Sequence, residues 1–329
     1  MTRKLGRSTV EVSALGLGTA PIGNLYAAVE DERAAQTIDA AWTAGIRYFD
    51  TAPHYGLGLA ERRLGAALRD RPRDEYAVST KVGRLLVPNP TAAALPRDAG
   101  GFDVPAAFLR RWDFSRDGVR RSLDASLERL GLDRVDVALL HDPDNHWEQA
   151  IGEAIPALLA LRDEGVVGAV GAGMNQWQML AELVRRADID VVLLAGRYTL
   201  LDQSALDVLL PLCVSHGVSM VTGGVFNSGL LALPRPAADA PYDYRTAPPP
   251  LLERAVQLAT VCERHGVTLP QAALAFPAAH PAVASVLVGA RSAPEITRNA
   301  ELFARPVPPA LWADLVAEGL LHPEALVQS

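Results

Sequence analysis

Eight short apolar runs rich in β-branched residues recur along this chain with helical patterns between them, and that rhythm limits its fold more than any other feature. The runs span 14–20, 46–52, 76–82, 135–142, 166–173, 191–196, 218–224 and 284–290. Such strands read as apolar on both faces, and strands covered on both faces pair in parallel. The intervening segments read as amphipathic helices. Over 31–44, Asp31 suits an N-cap, Ile38, Ala41 and Trp42 share a face, and Gly45 suits the position after the last turn. Over 117–130, Val119, Leu123, Leu127 and Leu130 recur at helical spacing before Gly131 stops the helix; 177–187, 203–215 and 251–265 behave similarly. Pro156 suits the first residue of a helix rather than a kink. Eight strand–helix repeats in 329 residues fit a closed (β/α)8 TIM barrel of the α/β class better than an open doubly wound sheet, as one domain over 1–329. The first segment, RKLGRSTVEVS, differs: Gly6-Arg7 between short alternating runs reads as a β-hairpin that can plug the barrel floor.

Two connections, 83–114 and 227–250, are too long for plain joints and are rich in Pro, Ala and Gly. Both follow strand C-termini, the face where barrel active sites form, so they are expected to shape a substrate pocket. Composition removes several classes of function. A net charge of −7 argues against nucleic-acid binding, and the pairs Arg62-Arg63, Arg110-Arg111 and Arg120-Arg121 read as solvated charges. Cys213 and Cys262 lie in helical patterns outside any CxxC pair, so neither a metal site nor a disulfide framework is expected. The first twenty residues hold no continuous apolar core of a signal peptide, and no apolar stretch has membrane-spanning length. A cytoplasmic protein, monomeric or a small homo-oligomer, is the expectation.

Polar residues at the ends of neighbouring strands carry the chemistry. RYFDTAPHYG delivers Asp50 at the end of the second run, with Tyr55 five residues on; STKVG delivers Lys81 at the third, and ALLHDPD delivers His141 at the fourth. In a parallel barrel these ends converge on one mouth. A phenol has a pKa near ~10, and a nearby ammonium lowers it. A carboxylate holds the ammonium, and an imidazole can donate to a substrate oxygen. Together the four can move a proton on or off an oxygen whose carbon gains or loses hydride. Taken singly, each has an ordinary structural reading as a cap, a packing residue, a surface lysine or a half-buried histidine.

The stretches FDTAPHYG, STKVG and LLHDPD resemble the aldo-keto reductase superfamily, and the resemblance covers essentially the whole chain. It implies an NAD(P)-dependent oxidoreductase in which Tyr55 is the general acid/base, Lys81 lowers its pKa, Asp50 holds Lys81, and His141 orients the substrate oxygen. No GxGxxG fingerprint marks a Rossmann site. The resemblance places the dinucleotide across the barrel mouth, near Gly18, Thr19, Asn175, Tyr198, Gly223, Gly224, Phe226 and Gly289. GARSAPEITRN is similar to the superfamily's adenosine-phosphate loop, which implicates Arg291, Ser292, Glu295 and Asn299. Glu295 can accept from a ribose 2′-hydroxyl and repel a 2′-phosphate, which leans towards NAD; Arg291 can instead welcome that phosphate. The chain departs from the superfamily at three points: Met174-Asn175 stands for Ser-Asn, Ala195 for a Gln, and Gly223 for the aromatic that stacks on nicotinamide. Phe226 or Tyr198 is the candidate to replace that stack.

AGMNQW, LAGRYTLLDQ, GGVFNSGLL and FPAAHPAVASVLVGARS resemble the aldose-1-dehydrogenase branch, to which pyridoxal dehydrogenases are related. That implies oxidation of a cyclic hemiacetal of the L-fucose, L-galactose or D-arabinose type to a lactone. The alternatives are pyridoxal, or general carbonyl reduction with NADPH. A channel-associated redox sensor and a metal hydrolase built on His54, His141 and His146 fit less well. Candidate substrate contacts, chosen by position near strand ends, are Asn24, Tyr26, His54, Trp112, Asp142, His146 and Trp147.

Overall fold

In the computed structural model, which describes residues 2–92, 97–243 and 245–325, eight parallel strands close a barrel. They are β1 (Leu15–Gly18), β2 (Tyr48–Asp50), β3 (Ala77–Val82), β4 (Val135–His141), β5 (Val167–Met174), β6 (Val191–Ala195), β7 (Ser219–Gly223) and β8 (Val283–Gly289). Each pairs with the next in sequence, and β8 closes the ring on β1 through Val286↔Leu15. Six of the eight runs read from the sequence contain one of these strands whole, and β5 and β8 each extend one residue beyond theirs, at Met174 and Val283.

Side-chain alternation then sorts residues to the two faces. One cluster, Tyr48, Ala77, Val137, Leu139, Ala169, Val191, Leu193, Val221, Ala284 and Leu287, fills the barrel interior. Two residues further along the same strands, the same face carries Asp50, His141, Ala195 and Gly223; Lys81 and Gly173 follow by the same parity. The upper inward layer therefore holds three ionisable side chains on β2, β3 and β4, and three small residues on β5, β6 and β7. Polar groups gather on one side of a well whose other side is left open.

The floor is closed as expected. Thr2–Lys4 and Glu11–Ser13 form an antiparallel hairpin, and Leu5 and Val12 join the interior cluster. Gly6 sits at φ 55°, and a Cβ there would lie 2.3 Å from the carbonyl oxygen of Asp190, so the turn needs glycine.

Outside the strands lie α1 (Asp31–Thr43), α2 (Leu59–Leu68), α3 (Arg116–Leu130), α4 (Ile155–Asp163), α5 (Trp177–Arg186), α6 (Leu209–His216), α7 (Pro249–Arg264), α8 (Leu269–Ala278), α9 (Ala293–Ala304) and α10 (Pro309–Ala317). Gly45 and Gly131 end α1 and α3 at positive φ. Three local expectations change. Glu30, not Asp31, precedes α1, and Asp31 is its first residue, where a carboxylate complements the helix dipole. The helix expected over 203–215 begins only at Leu209. Pro156 is the second residue of α4, but a π-helical segment over Ala150–Ala154 runs directly into it, so the wide turn absorbs the missing N–H.

The long connections are partly built; 93–96 and 244 within them lie outside the described residues. Arg84–Pro88 pairs with Phe108–Trp112 as an antiparallel hairpin over the mouth, with Arg84 opposite Trp112. Pro241–Tyr242 and Arg245–Thr246 form a smaller one.

Candidate active site

β2 ends at Asp50, and the strand register sets the carboxylate beside Lys81. The Lys81 ammonium donates to Asp50 Oδ2 at 2.7 Å, Asp50 Oδ1 at 2.9 Å and the Thr51 carbonyl at 2.9 Å. The Ser79 hydroxyl donates to Asp50 Oδ1 at 2.7 Å, and Tyr48 in turn donates to Ser79. Thr19 is wholly buried, and its hydroxyl donates to the Asp50 carbonyl at 2.9 Å. The carboxylate is thus held by two side chains of β3, and the Asp50 backbone by Thr19 just after β1.

Lys81 Nζ lies 4.7 Å from the centroid of the Tyr55 ring. Burial is the largest single influence on Lys81 and opposes its charge, but Asp50 and Tyr55 together outweigh it and hold the ammonium's pKa above its ordinary value. For Tyr55 burial dominates and raises the phenol's pKa, while the charge and hydrogen bond of Lys81 pull it down. The His141 ring stands 6.0 Å from Tyr55, nearly perpendicular to it. Burial, then Arg84 and Lys81, push its pKa well below the usual value, so the imidazole is neutral. A neutral imidazole donates from one nitrogen only. His54 stacks edge-on 5.5 Å from His141 and is pushed down to about 3 by burial, then by Arg84 and Arg110. The structure brings Asp50, Tyr55, Lys81 and His141 together with His54 alongside.

Of two guanidinium groups at this mouth, one went unread in the sequence and one was read as a solvated charge. Arg84 pairs with Asp142 and lies 4.3 Å over the Trp112 ring. Arg110 is no solvated charge. It bridges Asp98 at 2.6 Å and the His54 carbonyl at 3.1 Å. Arg63 is likewise largely buried, binding Asp31, Asn24 and the carbonyls of Ile22 and Val29. Arg120 and Arg121 are exposed as expected. The only local signal for Arg84 was its place three residues beyond Lys81.

The other candidates divide. Asp142, Trp112, His146 and Asn175 line one cleft of about 400 Å³ with Arg84. Tyr26 is 51% exposed, with the Arg291 guanidinium 5.9 Å from its ring. Asn24 is not a substrate contact: its amide donates to the Asp103 carbonyl and accepts from Val29 N–H and Arg63, bracing the loop after β1. Trp147 packs against the outer core. Tyr198 cannot stack on a nicotinamide. It is 1% exposed, its ring lies 5.1 Å from Phe276, and its hydroxyl donates to the Ala325 carbonyl. Thr19 also serves the fold rather than a ligand. Phe226 is half-buried beside exposed Gly224.

A dinucleotide fits the remaining groups. A Cβ at Gly223 would meet nothing closer than Leu193 Cδ2 at 3.7 Å, and one at Gly18 nothing closer than 3.8 Å, so the mouth has unfilled space beside both. Ser292 precedes α9, and its hydroxyl makes no cap bond. Asn299 is 2% exposed, and its Oδ1 has no partner among the described residues. Such a buried acceptor calls for a donor from outside. Glu295 spends one carboxylate oxygen on Arg291 N–H at 2.9 Å, and Arg291 donates to the Leu25 carbonyl. Another cleft, about 490 Å³, opens at the hairpin end of the barrel, where Arg73 and Asp136 pair at 2.7 Å. No helix among the described residues is long and apolar enough to cross a membrane.

Residues 14–317 match the model of the Aldo/keto reductase family. The chain is 48% identical to the D-threo-aldose 1-dehydrogenase of a Pseudomonas species over 314 residues, 95% of each chain. It is 40% identical to the pyridoxal 4-dehydrogenase of Microbacterium luteolum, covering 97% of each. An aldo-keto reductase of Bacillus halodurans, solved in its holo form, superposes with a TM-score of 0.75 at 27% identity, covering 100% of this chain and 98% of that one. The chain belongs to the aldo/keto reductase family and is an NAD(P)-dependent oxidoreductase acting on CH–OH groups.

Proposed function

We propose that the protein oxidises the anomeric hydroxyl of an aldose to the lactone, with Tyr55 as general base. The observation that carries this reading is the convergence of Tyr55, Lys81, Asp50 and His141 next to the cleft that Arg84, Trp112 and Asp142 line, in a chain 48% identical to an aldose 1-dehydrogenase. The Tyr55 hydroxyl, once ionised, takes the proton from the anomeric hydroxyl. Lys81 is the charge that makes ionisation affordable in a buried place, and Asp50 fixes Lys81 within reach. Neutral His141 donates a hydrogen bond to the same oxygen without adding a second cation beside Lys81. A nicotinamide dinucleotide, when bound, accepts the hydride from the sugar carbon. Gly18, Gly223, Gly224 and Phe226 would line its nicotinamide end, and Gly289 opens the loop at its adenosine-phosphate end. Arg291, Ser292, Glu295 and Asn299 would hold its adenosine end, with Asn175 alongside the carboxamide. The Glu295 carboxylate favours NAD over NADP. We infer a cytoplasmic enzyme, folded as one catalytic unit and acting as a monomer or small homo-oligomer.

The test is absorbance at 340 nm with NAD or NADP and separate additions of L-fucose, L-galactose, D-arabinose and pyridoxal. Reduction of NAD by the sugars supports the reading. Activity confined to pyridoxal moves the substrate to the vitamin. Consumption of NADPH with simple aldehydes, and no oxidation of any sugar, overturns it.

A further inference from the structure

Asp142 follows His141 directly, and its backbone lies at φ 43°, a conformation few side chains adopt. Its N–H donates to the Gly173 carbonyl, which pins the bend. Such strain beside a reactive residue is a reason to ask what it accomplishes. The bend turns the carboxylate back over the mouth, where Oδ2 stands 3.7 Å from His141 Nε2 and pairs with Arg84. Burial raises the Asp142 pKa, and Arg84 opposes it.

Arg84 is held with equal care. Gly83 takes φ 100° against the ring of Phe114, the hairpin register sets Arg84 opposite Trp112, and the guanidinium lies over that indole. Its Nε is buried and has no partner among the described residues. A planar donor, a carboxylate acceptor and an aromatic ring thus share the cleft that borders His141. An oxygen bound by His141 would have a neighbouring oxygen on the adjacent carbon. His141 Nε2 and Asp142 Oδ2, 3.7 Å apart, are close enough for each to bond one of two hydroxyls on adjacent carbons. Asp142 can accept from that second hydroxyl while Arg84 donates to it.

Resting on the aldose reading above, we propose that the Arg84–Asp142 pair is the specificity-determining subsite for the hydroxyl on the carbon next to the reacting one. The preferred substrate class is then 2-hydroxy hemiacetals rather than any hemiacetal. A site built to bond a hydroxyl rejects the analogue that lacks it, because its own polar groups are left unmatched.

The experiment compares kcat/KM for an aldose and its 2-deoxy counterpart in wild type, Arg84→Met and Asp142→Asn, with coenzyme affinity followed by quenching of protein fluorescence. Hydrogen bonds to charged groups imply that wild type favours the 2-hydroxy sugar by roughly 10–100-fold. Each variant is expected to bring that ratio close to one with coenzyme affinity kept. The ratio is internal to each variant, so loss of folded protein does not change it. A wild-type ratio retained in both variants overturns the subsite. So does a wild type that oxidises both sugars equally, which leaves the dehydrogenase reading standing. Failure of wild type on every sugar overturns that reading, and the subsite with it.

Discussion

Replacing Lys81 with Met separates what the ammonium does for the fold from what it does for Tyr55. Met follows the lysine stem closely in volume, so the change leaves little cavity. It removes three hydrogen bonds, to Asp50 Oδ2 at 2.7 Å, Asp50 Oδ1 at 2.9 Å and the Thr51 carbonyl at 2.9 Å. Both partners are almost wholly buried, so solvent does not screen the loss. Among the described residues, Asp50 keeps only the Ser79 hydroxyl as a side-chain donor. Breaking one half of a buried ion pair costs about 3–5 kcal/mol, because a charge is left without compensation. For a chain of this length that is a fall in melting temperature on the order of 10 °C. The Asp50→Asn/Lys81→Met double variant removes the stranded charge and should recover most of the loss, since neutralising both halves of a buried pair is nearly free. Activity behaves differently. Tyr55 has lost its cation in both variants, so both should fall at least ~100-fold in kcat. Thermal unfolding and steady-state rates on the three proteins test this together. If Lys81→Met melts at the wild-type temperature, or the double variant is less stable than the single, the pair is not the buried, mutually compensating unit described here.

Tyr55→Phe should lower kcat by roughly 10²–10⁴-fold with coenzyme affinity unchanged, measured by turnover and fluorescence titration. Because burial raises the Tyr55 pKa, the ionised base is scarce at neutral pH and sugar oxidation should climb as pH rises into the alkaline range; a rate flat above pH 7 would count against Tyr55 as the base. His54 is pushed down to about 3 and His280 to about 4, each chiefly by burial, against ~6.5 in an unfolded chain. Unfolding therefore takes up protons below that value, and stability present above pH ~6.5 should drain away towards pH 4, at no more than about 1.4 kcal/mol per pH unit per imidazole. Urea titrations at pH 7 and pH 5 with the same midpoint would refute it. Gly83→Ala should cost about 2–4 kcal/mol, since its Cβ would lie 2.2 Å from the buried Phe114 ring at φ 100°, and should raise KM by displacing Arg84; an unchanged melting curve would sink that account.

The barrel was legible because its strands are buried on both faces, so each leaves an uninterrupted apolar run. Asp50, Lys81 and His141 were legible because strand ends converge whatever the loops do, and Tyr55, in the loop after β2, through the resemblance that FDTAPHYG carries. Other loop residues were not, since sequence does not say which way a loop turns. Tyr198 sits in a polar-flanked stretch after β6, yet its segment folds inward and lays the ring on Phe276. Asn24 was misread for a related reason: an amide near a strand end can serve the chain as well as a ligand, and Arg63 claims it. Arg84 drew no reading and Arg110 passed as surface charge because their partners, Asp142 and Asp98, meet them only after the hairpin has folded over the mouth. Among the helices, α8 is apolar nearly all round, so it lacks the polar face that would mark an amphipathic helix.

Barrel closure also has a consequence in time. β1 gains its second neighbour only when β8 arrives, near the far end of the chain. At a synthesis rate of roughly 5–20 residues per second, the ribosome holds that edge open for some tens of seconds. Over that interval Leu15 and Leu17 present unpaired backbone and apolar side chains together, which is the arrangement that recruits a stray strand from another molecule. The yield of this enzyme in a cell is thus expected to depend on how crowded its translating polysomes are, a property that no measurement on the finished barrel would reveal.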